Sequence, residues 1–221
     1  SDQPQITPAR ESARYMEKCI QDQLLDTNAV TIMRHSLFEC SLLGTGVVKG
    51  PFNYSKTVHN WAIPEEGGPE EGGKTYEPID RTVPKMEAVS CWDFYPDPSA
   101  TSVNDAEYVI QRHRMNREQL RDLLNRPLFD EDAIKRVLDE GPNYQERYFE
   151  STLYNNEKDT TNEKNRYEVL EYWGIMDTAL AREAGLEISE DSGRSVQVNV
   201  WVCGEEILRI VSNPFLPTRL P

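Results

Sequence analysis

The segment "SVQVNVWVCGEEILRIV", residues 195–211, leaves few options for the fold around it. Val196, Val198, Val200 and Val202 recur at every second position, the period of a strand that shows one face to a core. Gly204-Glu205 follows as a two-residue turn with glycine first, which joins two neighbouring strands antiparallel. Upstream, "YEVLEYWGIM", residues 167–176, carries apolar side chains on both faces, so it is expected at the centre of a sheet. An antiparallel sheet with a doubly covered middle strand is therefore the scaffold to which the rest must attach.

The other periodic segments are helical. Residues 8–25 place Ala13, Met16, Ile20 and Leu24 three or four apart, the spacing of one helical face. A second helix is expected from the cap candidates Thr27 and Asn28, with Ile32, Met33, Leu37 and Cys40 on one side and Gly44 as its stop. Asn116 with Gln119 three residues on has the form of a capping box. It heads a helix with Leu120, Leu123 and Leu124 inside, halted by Pro127. Asp130 opens another, with Ala133, Ile134, Val137 and Leu138 inside, ended by Gly141-Pro142. Strands are expected over residues 82–94 and 106–115, a short one within 44–52, and a short helix over 177–185. The class is α+β, N-terminal helices followed by mainly antiparallel strands with short helices between them.

Residues 53–80 contain "PEEGGPEEGGKTYEPID", an acidic, glycine-rich near-repeat without apolar periodicity, expected to be a surface loop. Glu65, Glu66, Glu70 and Glu71 lack the oxygen-ligand spacing of a calcium loop. The organisation expected is a helical segment leading into a strand (1–52), an acidic loop (53–80) and an α+β region (81–221). The whole reads as one continuous domain whose end, "NPFLPTRLP", suggests a piece of a longer chain.

The formal charge of -14, from 38 acidic and 24 basic residues, argues against a surface that grips nucleic acid. No run approaches the roughly 18 apolar residues of a membrane helix, and the N-terminus lacks a signal-peptide core, so a soluble, non-secreted protein is expected. Cys19, Cys40, Cys91 and Cys203 form no C-x-x-C pair and read as buried, reduced thiols in an intracellular setting.

Chemistry is sparse. His35, His59 and His113 are far apart, no nucleophile or dinucleotide motif occurs, and "GTGVVKGPF" has its lysine in the wrong place for a phosphate loop. No catalytic residue, metal ligand or cofactor is assigned. In "SCWDFYPDPSATS", residues 90–102, Asp93 and Asp97 could belong to a carboxylate metal site of the nuclease kind. The prolines and the Asx-turn habit of aspartate favour a rigid turn, anchored by Trp92, Phe94 and Tyr95. The basic residues concentrate at Arg112, Arg114, Arg117, Arg121 and Arg126. The first four are candidates for a subunit interface, against the simpler reading of a solvated face neutralised by Glu118 and Asp122.

"AVSCWDFYPDPSATSVNDAEYVIQRHRMNREQLRDL", residues 88–123, resembles the strand, turn, strand and helix of portal proteins from short-tailed bacteriophages and prophages. "YEVLEYWGIMDTALAREAGLE" and "VNVWVCGEEILRIVSNPFLPTRLP" are similar to the same family, so the resemblance spans residues 27–221. It implies a non-enzymatic part of a dodecameric ring at a capsid vertex. Through that ring terminase drives DNA without sequence-specific binding, and a tail adaptor and capsid or scaffold proteins attach to it. The segment resembles the wing, outside the channel-forming stem. A virion location follows, with assembly in the host cytoplasm and no membrane. A head-completion or tail-adaptor protein, or less readily a carboxylate-metal nuclease, is the alternative.

Overall fold

The computed structural model describes residues 3–62, 75–145, 165–189 and 193–215. The chain divides into two compact units, 1–90 and 91–220, where the sequence suggested one continuous domain. The division falls inside "SCWDFYPDPSATS".

The first unit contains helices α1 (Gln3–Asp26) and α2 (Ala29–Leu43) and a two-stranded antiparallel ribbon of β1 (Val47–Ala62) and β2 (Thr75–Val89). Gly44 ends α2 as expected: it adopts φ +80, a region closed to most side chains, and its N–H donates to the carbonyl of Cys40. The phase of α2 differs from expectation. Ala29 and Ser36 are buried, whereas Met33, Leu37 and Cys40 are exposed. Met16, Ile20 and Leu24 of α1 are exposed as well.

The expected loop over 53–80 is corrected at both ends. Residues 53–62 continue β1 and residues 75–80 begin β2, and only its acidic centre lies outside the described residues. The strand of 44–52 is thus the base of a much longer one. Pro78 and Pro84 both lie within β2, although a central strand needs every N–H. In a ribbon of two strands, half of the N–H groups point outward. Pro78 faces His59 and Pro84 faces Asn53, six residues apart and so in the same outward-pointing phase, where a missing donor costs no ladder bond. The register slips only between Lys49 and Phe52, at Gly50-Pro51.

The second unit is a five-stranded antiparallel sheet in the order β3 (Phe94–Pro96), β4 (Tyr108–Met115), β5 (Tyr167–Asp177), β6 (Ser195–Cys203), β7 (Glu206–Ser212). β5 is central, as its two-faced apolar pattern required. β6 and β7 form the expected hairpin, with Gly204 at φ +61. The strand expected over 82–94 is instead β2, a single 3-10 turn at Cys91–Asp93 and the short β3.

Helices α3 (Arg117–Asp122) and α4 (Glu131–Glu140) supply the core of this unit. The Asn116 side chain accepts from the N–H of Gln119, and the Gln119 side chain accepts from the N–H of Asn116, so the capping box is complete. The Asp130 carboxylate accepts from the N–H groups of Asp132 and Ala133. These caps set the phase that turns Leu120, Ala133, Ile134, Val137 and Leu138 inward, with Leu123 of the following 3-10 turn. They pack on Tyr167, Val169, Trp201, Cys203 and Leu208 of the sheet. Helix α5 (Thr178–Glu183), capped by Asp177, packs against β5 and β6 and buries Thr178 and Ala181.

One position on β5 admits no side chain. A Cβ on Gly174 would stand 2.7 Å from the Tyr108 Cβ, 2.8 Å from the Glu107 carbonyl and 2.6 Å from the Tyr172 hydroxyl. The first two cannot swing away. Gly174→Ala is therefore expected to cost about 1–3 kcal/mol, read from urea unfolding. An unchanged midpoint would mean that β4 and β5 are less closely apposed here.

Candidate functional site

Strand alternation sorts the basic cluster into two groups. Arg112 and Arg114 sit two apart on β4, so both reach the same side of the sheet. There they meet Asp93, presented by the 3-10 turn. The Arg112 Nε donates to Asp93 Oδ1 at 2.7 Å and the Arg114 guanidinium to Oδ2 at 3.2 Å. The Arg112 side chain is fully buried, with Glu168 at 3.8 Å and the Tyr144 ring 6.0 Å from its guanidinium carbon. Arg112 is thus an internal strut of this unit, and its assignment to a subunit interface is corrected. Arg117 and Arg121 lie on the exposed side of α3, where Arg121 pairs with Glu118 at 2.9 Å. Arg126 is exposed in the connection that follows.

Asp97 plays a different part from Asp93. Its Oδ1 accepts from the Ser99 N–H at 2.8 Å and from the Ser99 hydroxyl at 2.6 Å, an Asx turn. Its Oδ2 accepts from the Glu107 N–H at 3.3 Å, which ties the turn to the start of β4. Chiefly through the Ser99 hydroxyl, and through these N–H groups, the carboxyl is held below its usual range. Each aspartate therefore has donors of its own, and the two serve separate tasks. Tyr95 closes the turn by donating to the Trp92 carbonyl, while Trp92 is 38 % exposed and anchors less than expected. Among the described residues, no three His, Cys, Asp or Glu side chains gather as metal ligands.

The neighbour between the two arginines, His113, points to the other face and joins a buried network that sequence reading missed. Its Nε2 lies 2.8 Å from Glu171 Oε2. The other oxygen of Glu171 accepts from the Trp173 indole at 2.8 Å and from the Asn199 amide at 3.3 Å. Trp201 donates to Asn199 Oδ1 and stacks on the His113 ring at 4.9 Å. Glu171 and Asn199 are 2 % and 1 % exposed, so each oxygen and nitrogen needs an internal partner. The signal was there: Glu171 and Asn199 are polar residues at the centres of apolar strands. Such a network fixes which residues face each other across three strands.

A groove of about 620 Å³ beside β7 is lined by Leu128, Phe129, Arg136, Glu183, Glu206 and Arg209, among others. Arg136 and Glu206 close on each other in two parallel bonds of 3.0 and 2.7 Å. That contact holds the Glu206 carboxyl below its usual range. The Arg209 guanidinium, lowered mainly by burial, lies over the Phe129 ring at 5.3 Å. Within the groove, Arg136 and Glu206 are thus already spent on each other.

None of the four cysteines is in a disulfide, and of the four only Cys203 is buried; Cys40 is exposed, which corrects the expectation of four buried thiols. Burial pushes the Cys203 thiol up to about 11, although Asn143 donates to its sulfur. At pH 8 very little of it is thiolate. Iodoacetamide on the folded chain should label Cys40 and spare Cys203, as read by peptide mass spectrometry. Equal labelling would contradict the packing of Cys203 under α4.

These features are architectural: a strut, a turn, a buried polar clamp and capped helices. The description of the family model that matches the chain, over residues 69–218, is Phage SU10 portal protein. The chain belongs to this portal family. The matched stretch takes in β2 and nearly all of the described second unit, so the sheet, its strut and its capped helices are features of a portal fold. No curated protein matches the chain. A portal protein is a structural component of a phage, and no described helix here is long and apolar enough to cross a membrane.

Proposed function

We propose that this chain forms the wing region of a portal subunit. In this reading it is one of a ring of copies at a capsid vertex, through which DNA is packaged and ejected. Terminase and a tail adaptor would dock on the assembled ring. The observation that carries the reading is the family match over residues 69–218, coincident with a sheet that holds the Arg112–Asp93 pair and the Glu171–Asn199 network. No reaction is assigned to it.

The charge of -14 supports the same role, since an acidic wall offers passing DNA little to hold. Ring closure needs a heterologous contact, one face of a subunit against a different face of the next. Arg117 and Arg121, on the exposed side of α3, offer a cationic patch for an acidic neighbour. In the full-length protein, Arg117→Glu/Arg121→Glu should reduce ring yield on size-exclusion chromatography severalfold, while leaving the melting temperature of the subunit in place. Unchanged ring yield would remove this face from the interface.

A further inference from the structure

The helix pair of the first unit is built as though something lay over it. Eleven large apolar side chains of α1 and α2 are at least 45 % exposed. α2 exposes large apolar side chains on two of its sides, interspersed with Arg34, His35 and Glu39. At 100° per residue, Val30 and Leu37 (68 % and 62 % exposed) lie on one flank, and Phe38 and Leu42 (62 % and 66 %) lie on the far side from buried Ala29 and Ser36. Large apolar side chains clustered in the open in this way mark a surface that a partner covers. Within the first unit α2 contacts α1, β1 and β2, and of its residues Ala29 and Ser36 are buried.

Charge narrows what can cover it. Residues 3–43 carry four basic and five acidic residues, a net charge of -1 in a chain of -14. Two copies of so acidic a chain repel over most of their surfaces, and an apolar, nearly neutral hairpin is where they can approach. The exposed area is also sufficient. Eleven half-exposed large side chains supply on the order of the 800 Å² that each partner buries in a stable interface.

We infer that the outer surface of the α1–α2 hairpin, centred on Leu37 and Phe38, is where a second copy of this chain seats. The hairpin precedes residue 69, so this contact lies outside the stretch that matches the portal family. The place of the contact within a ring rests on the portal reading. The contact itself rests on the exposed apolar surface.

Sedimentation velocity of the 221-residue chain over a wide concentration range tests it. The wild type should shift from monomer to larger species as concentration rises. Leu37→Glu/Phe38→Glu should remain monomeric with the same far-UV circular dichroism, and Asn125→Glu, at an exposed polar site in the second unit, should associate like the wild type. Should the glutamate pair lose helicity, Phe38→Ser/Leu42→Ser is the milder variant, with the same loss of association expected. A wild type that stays monomeric, or variants that associate equally well, would overturn the inference. The glutamate pair in the full-length protein separates the two readings. Rings from both wild type and variant would overturn the hairpin contact and leave the portal reading in place. An absence of rings from the wild type would overturn the portal reading, with the hairpin contact then decided by sedimentation.

Discussion

Asp93→Ala is expected to destabilise the second unit by about 3–5 kcal/mol, the largest effect of any polar substitution in this chain. The reason is what stays behind. The Arg112 side chain is fully buried and its closest carboxylate is Asp93, at 2.7 Å, while Glu168 stands at 3.8 Å. Removing Asp93 takes the 2.7 Å carboxylate from a fully buried cation, Glu168 at 3.8 Å being the other carboxylate near it among the described residues, and a guanidinium cannot shed its proton to escape. Arg114 loses its 3.2 Å contact as well, but it is about one-third exposed and water can replace the carboxylate. Urea unfolding followed by circular dichroism reads the loss. The companion variant Asp93→Ala/Arg112→Met removes both charges and should recover much of the stability, since a buried pair exchanged for apolar groups is often neutral. The metal-nuclease alternative expects something else. Loss of a metal carboxylate should leave stability unchanged or raise it, because like charges would no longer be crowded together. A change below about 0.5 kcal/mol would therefore contradict the strut and revive that alternative.

Ile134→Ala should cost about 2–5 kcal/mol by the same measurement. Ile134 is 0 % exposed and lies where α4 meets the sheet, among Leu120, Leu123 and Leu208, each at most 1 % exposed. Its position is set twice, by the Asp130 cap that fixes the start of α4 and by the Asp130 N–H, which donates to the Leu208 carbonyl on β7. With the backbone held at that point, the helix cannot slide to fill the space left by three carbons, so the cavity persists. A loss under about 1 kcal/mol would mean that the core collapses freely and that α4 is less firmly pinned.

What the sequence made legible was local. Asn116 and Gln119, and Asp130 ahead of Ala133 and Ile134, specify helix starts through bonds to the next few residues, and the structure keeps both. Gly204-Glu205 fixed a hairpin, and apolar residues on both faces of 167–176 placed β5 in the middle of its sheet. The failures all involve partners distant in the chain or absent from it. Arg112 reads as one cation in a basic run until β4 pairing brings Asp93, 19 residues away, against it. His113 reads as a lone histidine until Glu171 arrives from 58 residues away. The ribbon was hidden because residues 53–80, with their acidic glycine repeat, lack apolar periodicity and resemble loop composition, and the prolines of β2 are tolerated in a two-stranded sheet. The phase of α2 could not be read, since large apolar residues stand on more than one side of it, with Phe38 and Leu42 far round from Ala29.

The sites of interest divide accordingly. The strut, the Asx turn and the Glu171 network hold one unit rigid, and the exposed surfaces of α2 and α3 are the ones left to engage neighbours. Electron microscopy of negatively stained full-length protein, beside the 221-residue chain at equal concentration, tests the portal reading most directly. Closed rings with a central channel from the full-length protein are the expected result; dispersed single subunits under conditions where the protein is folded would contradict it.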